Sequence, residues 1–114
     1  MNNEIHFVGN LTSIEVTPYN TKDGQSHNRV NFQLVSDERI SQSLLLSVRG
    51  VVGDQMVLLD LHPGFCSIVA YIEFHTFDYN QRLCQEIRVW KLEITKHDTG
   101  KMYVITRANT TELS

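Results

Sequence analysis

The chain of 114 residues lacks several things, and each shortage removes a class of protein. It holds only two cysteines, Cys66 and Cys84, with no CxxC pair, so no disulfide framework or zinc ribbon is written into it. No apolar run approaches the roughly 18 residues that a membrane helix needs. The opening "MNNEIHFVG" has no basic stretch ahead of an apolar block, so no secretory signal is expected. Two well-separated thiols in such a chain fit the reducing cytoplasm. The five histidines (His6, His27, His62, His75, His97) are scattered, with no HxH, HExxH or Cys/His ligand spacing. A glycine-rich phosphate loop and a GxSxG are missing too. The expectation is therefore a protein without metal or cofactor that is not an enzyme, and without a membrane partner.

Positive charge is also scarce, with 10 Lys and Arg against 13 Asp and Glu, a net charge of −3. That argues against indiscriminate binding to nucleic acid, but the distribution is uneven. Residues 1–78 carry four basic side chains against nine acidic ones, a net of −5, and residues 79–114 carry six against four, a net of +2. The last third can thus supply a weakly positive face, or the split can be scatter on a solvated surface.

What is present is mostly strand periodicity, in one domain over residues 1–114. "EIHFVGNLTSIEVT" reads as a long strand interrupted by Gly9, and a glycine inside a strand marks a bulge, a bend or a close backbone approach. "PYNTKDGQSHN" is turn-forming around Asp23-Gly24. In "RVNFQLVS" Val30, Phe32 and Leu34 alternate with Arg29, Asn31 and Gln33. "DERISQ" is a polar connection and "SLLLSVRGVV" a covered strand. "GDQMVLLDLHPG" is the only helix candidate, over about residues 53–62, with Asp54 as its cap and Pro63-Gly64 as its stop. "FCSIVAYIEFHTFDY" and "QEIRVWKLEITK" are two more strands separated by a turn at "NQRLC". "HDTGK" then turns into "MYVITR", giving a C-terminal hairpin over about residues 91–107. The order predicts an all-β chain: a five-stranded Greek-key barrel of the OB type with one short helix after strand three and the extra hairpin. A first strand that serves both halves of such a barrel must bend, and Gly9 permits it.

The residues that can meet a ligand follow from this layout. In "YIEFHTFDYNQR" Tyr71, Glu73, His75, Phe77 and Tyr79 share one strand face. Flat side chains at every second position are stacking surfaces for unpaired bases, and Arg82 follows at once to meet a phosphate. Each ring can equally fill a core or a subunit contact. Tyr19 and Lys22 sit in the first turn, where Tyr19 is either a ligand contact or an ordinary residue after Pro18. Arg29, Arg49 and Arg88 can pair with phosphates or balance nearby carboxylates. Trp90, between Arg88 and Lys91, reads first as a cover for a neighbouring element and second as a stacking ring.

Gly9, Asn10, Leu11 and Thr12, then Tyr19, Gly24, Asn31, Phe32 and Leu34, resemble the N-terminal half of bacterial single-stranded DNA-binding proteins. "SVRGVVGDQ", "LLDLHPGFCSIVAYIEF" and "QEIRVWKLEI" are similar to that family's later strands and helix, so the resemblance runs over residues 3–95. It implies an OB-fold, assembly into dimers or tetramers, and binding of single-stranded DNA with little sequence preference in replication, repair or recombination. The chain departs from the family in having "SQSLLL" where Trp-His-Arg is usual and Arg49 where an aromatic is common. Asp78 or Tyr79 stands at a stacking Trp position, and the acidic-tipped tail is missing. Tailless relatives include the primosomal replication protein of replication restart and phage or plasmid versions. The alternative is therefore an adaptor of the same fold that acts mainly through replication or restart proteins. A purely structural barrel subunit is the third possibility.

Overall fold

Alternating apolar and polar residues with few breakers build one sheet. A computed structural model describes residues 4–36 and 42–113, so the expected connection at residues 37–41 lies outside the described residues. The elements are β1 (Glu4–Asn20), β2 (Ser26–Val35), β3 (Ser43–Val48), α1 (Gly50–Leu58), β4 (Cys66–Tyr79), β5 (Arg82–Lys96), β6 (Met102–Thr106) and β7 (Thr110–Leu113). Neighbouring strands are antiparallel, and the seven form one sheet in the order β3-β2-β1-β4-β5-β6-β7.

β1 is long because it serves two partners. Residues 4–10 pair with β4, and residues 10–20 pair with β2. Gly9 stands at the handover, where a Cβ would lie 3.0 Å from the Val35 carbonyl oxygen and 3.1 Å from the Leu34 Cβ. Its lack of a side chain lets two strands cross closely, which accounts for the glycine inside the strand. Just after it, the register shifts between Leu11 and Ser13. The extra residue reverses the alternation, so Phe7 and Leu11 face the core at odd positions and Ile14 at an even one. β5 repeats the device. Tyr71 pairs with Lys91 but Ile72 pairs with Val89, leaving Trp90 as the extra residue. Val89 is buried on one side of it, and Leu92 and Ile94 on the other.

The core gathers Leu11, Phe32, Leu34, Met56, Ile68 and Leu92 with their neighbours. α1 lies over β2 at close range, since a Cβ on Gly53 would be 2.3 Å from the Asn28 carbonyl oxygen. The helix begins earlier than the residue pattern predicts. Arg49, not Asp54, occupies its cap position, without a side-chain hydrogen bond, and α1 ends at Leu58, well before Pro63.

The closed five-stranded OB barrel is not what forms. The sheet is open and has seven strands, with β3 and β7 at its two edges. Closure would require hydrogen bonds between β3 and β5. These strands approach within 8 Å (Cα–Cα) but share no ladder, and β5 pairs with β6 over residues 91–95 only. The C-terminal residues extend the sheet and a cleft occupies the unclosed seam. Resemblance to the single-stranded DNA-binding family thus reflects local residue patterns, and the family assignment and its fold do not hold.

Candidate functional site

The alternation that buries Val30, Phe32 and Leu34 on β2 leaves Arg29 and Asn31 on the opposite face. On β3 it buries Leu46 and Val48 and leaves Ser47 exposed, and Arg49 follows at the junction with α1. On β5 Val89 turns inward while Glu86 and Arg88 stay on the outer face. The turn between β6 and β7 contributes Arg107. Gln55 of α1 holds that turn, donating from Nε2 to the Thr106 carbonyl at 3.1 Å and accepting a hydrogen bond from the Thr110 hydroxyl.

These elements enclose a cleft of about 410 Å³ along the seam between β3 and β5. Val48, Val52 and Val89 are its buried lining, with Val51 and Ile87 half-exposed beside them. Ser47, Arg49, Glu86, Arg88 and Arg107 supply its polar lining. A second cleft of about 340 Å³ shares Ser47, Arg49, Glu86 and Ile87 with the first and adds Arg29 and Asn31, so the two are continuous. Four guanidiniums therefore meet on one surface. Arg88 pairs with Glu86 at 3.3 Å. Among the described residues no carboxylate lies within ion-pairing reach of Arg29, Arg49 or Arg107. Like charges collected on one face create a potential that draws anions. The first turn of α1, which carries Val51 and Val52, has no acidic residue to offset its positive end.

Two contacts hold the junction that presents Arg49. The Gly50 N–H donates to the Tyr19 hydroxyl at 3.0 Å, which gives half-buried Tyr19 a positioning task beside the cleft. Asp54 ties α1 to β2, accepting from the Asn28 N–H at 2.7 Å and standing 2.6 Å from His27 Nδ1. Burial works against the charge on Asp54, but the bonds from His27 and Asn28 outweigh it and hold the carboxyl below its ordinary value.

Beyond the cleft, β4 and β5 continue as a projecting hairpin closed by Asn80 and Gln81, with φ of 50° and 65°. Positive φ at both turn residues matches the twist of the two strands. The register places Glu73 opposite Arg88, His75 opposite Glu86, Phe77 opposite Cys84 and Tyr79 opposite Arg82. Directly opposed residues share a face, so these eight form one row. It starts with the cleft residues Arg88 and Glu86 and ends at Tyr79, which is 65% exposed. The His75 and Phe77 rings are stacked with centroids 6.1 Å apart.

Arg29, Arg49 and Arg88 thus converge at the cleft, and His75, Phe77, Tyr79 and Arg82 line a row leading away from it. Lys22 stands exposed in the turn between β1 and β2 and does not line the cleft. Arg107 is the contributor that residue patterns miss, because only the long-range bridge through Gln55 brings it in. Trp90 packs against Tyr71 of β4, ring centroids 5.6 Å apart. Lys91 is engaged elsewhere, 4.7 Å above the Tyr71 ring and 3.4 Å from Glu93.

Cys66 and Cys84 are unpaired, and burial, reinforced by the charge of Asp98 and opposed by Lys96, pushes the Cys66 thiol up to about 11. Such a thiol is not a nucleophile at neutral pH. Among the described residues no three His, Cys, Asp or Glu side chains are placed to hold a metal ion, and no helix is long and apolar enough to cross a membrane. No protein-family model matches the chain, and no curated protein matches it.

Proposed function

We propose that the protein binds single-stranded DNA, without catalysis and with little sequence preference, along a track from the arginine cleft onto the outer face of the β4–β5 hairpin. The carrying observation is the convergence of Arg29, Arg49, Arg88 and Arg107 on one continuous cleft, three of them without a carboxylate partner among the described residues. In a chain of net charge −3 this local concentration selects a polyanion by position rather than by overall charge. Phosphates sit at the guanidiniums, which bind them in a planar, two-pronged geometry. Bases stack on Phe77 and Tyr79, which stand roughly 7 Å apart along the strand at alternate positions. A single strand fits this row because its bases are free to turn outward, whereas a duplex hides their faces. Two unpaired thiols are in keeping with a cytoplasmic setting.

The test is an anisotropy titration with a labelled pyrimidine oligonucleotide and with a duplex of equal length, at about 50 mM salt, where phosphate contacts count most. Tighter binding of the single strand is expected. No binding would sink the proposal, and equal affinity for the duplex would remove the stacking half of it.

A further inference from the structure

Among the described residues that line the two clefts, Glu86 is the only carboxylate. A carboxylate repels phosphates, so binding through the backbone alone gives no reason for one among four arginines. Its Oε2 receives both contacts from Arg88, from Nε and from Nη2, each at 3.3 Å. Its Oε1 has no hydrogen-bond partner among the described residues. Val51 and Ile87, half-exposed and lining the same cleft, offer apolar contact to the face of a flat ring. Arg88 meanwhile fixes the carboxylate by its other oxygen.

An ionised carboxylate only accepts hydrogen bonds. Cytosine presents an exocyclic amine as a donor, while thymine presents a carbonyl oxygen at the same position. The geometry points to Glu86 as a base-selecting residue: Oε1 accepts a hydrogen bond from the amine of a cytosine seated in the cleft and disfavours thymine there. This role rests on the single-strand proposal and adds to it a preference that arginines and aromatic rings alone do not produce, since both tolerate any base.

The experiment compares oligo-deoxycytidine with oligo-deoxythymidine of equal length, at neutral pH and low salt, for the wild type, Glu86→Ala and Glu86→Gln. The wild type is expected to favour the cytidine strand about five- to tenfold, the lower end of what a base-edge contact gives. Removing the negative charge raises affinity for both strands, so the diagnostic is their ratio, which falls to about one in Glu86→Ala. Glu86→Gln keeps the size of the side chain and adds a donor that thymine accepts, so its ratio falls as well. Because that variant is nearly isosteric, a lost preference in it is not a folding defect. Equal affinities in the wild type, or a ratio that survives both substitutions, would overturn the role of Glu86 while leaving salt-sensitive single-strand binding intact. If the wild type binds neither strand, this role and the single-strand proposal fall together.

Discussion

The ladder between β4 and β5 has two halves with the same residue alternation and opposite fates. In the first, Cys66, Ile68, Ala70 and Ile72 on β4 and Val89, Leu92 and Ile94 on β5 are all buried. In the second, residues 73–79 and 82–88, nothing is buried, and Leu83 and Ile87 are 77% and 51% exposed. The first half packs within the core that β2, β3 and α1 complete, while the second lies outside that core and meets β3 and α1 only at the cleft, through residues 86–88. Alternation therefore specifies a strand, but burial depends on what lies opposite. The second half contributes little to stability and is free to carry a ligand, as loops positioned by a rigid scaffold commonly do.

Substitutions that affect one half and spare the other test this division. Phe32 is fully buried at the centre of the core. Phe32→Ala should lower unfolding free energy by about 3–5 kcal/mol in urea denaturation. A much smaller loss would mean that the packed half is looser than the structure indicates. At the far end of the hairpin, Tyr79→Ala should weaken oligonucleotide binding by about 1–3 kcal/mol, or roughly five- to a hundredfold, with the melting temperature unchanged. Normal binding by that variant would confine the ligand to the cleft, and joint loss of binding and fold would make the ring structural.

Asp54 joins the packed half to the helix that presents Arg49. Asp54→Ala should cost about 1.5 kcal/mol, the scale of a charge-assisted hydrogen bond that is partly open to solvent. Because the folded state holds this carboxyl below its ordinary value of 3.8, the unfolded chain takes up the proton first as pH falls. The contribution is complete above that ordinary value and disappears as pH drops through the lower folded one. Acid titration of stability should accordingly be shallower for the variant than for the wild type, and identical acid profiles would show that the ties to His27 and Asn28 carry no net stabilisation. The smallest effect is expected at Leu83, where Leu83→Ser should change stability by less than about 0.5 kcal/mol in thermal melts. A larger loss would place a packing partner over the hairpin's second face.

Much of the strand content is legible in the residues, because alternation in "RVNFQLVS" and "FCSIVAYIEFHTFDY" needs only local information. A close backbone approach at Gly9 is legible for the same reason, while the bend expected there belongs to a closed barrel that does not form. The reversals of alternation near Thr12 and at Trp90 are not legible, since a bulge is defined by a partner strand elsewhere in the chain. Whether β3 pairs with β5 is also a long-range outcome, and Gly-Asn-Leu-Thr followed by Asn-x-x-Leu matches a barrel family in local pattern without fixing that pairing. Asp54 has the residue type of a helix cap, yet its carboxylate is spent on β2, and the helix starts at Gly50 where the Tyr19 hydroxyl takes the N–H. β7, "TTEL", is too short and exposed to stand out. Of the candidate site, Arg29, Arg49 and Arg88 were visible as separate basic residues; their convergence, and the arrival of Arg107, belong to tertiary structure.

The salt dependence of binding tests the arginine cleft most directly. For a single strand, log K against log salt falls by about 0.7 for each phosphate contacted, so four engaged arginines give a slope near −2.8. An Arg49→Ala, Arg107→Ala double variant should retain its fold and show a slope near −1.4, about half as steep, with weaker binding at every salt concentration. A slope unchanged from the wild type would contradict the account and place the phosphates on some other surface of the molecule.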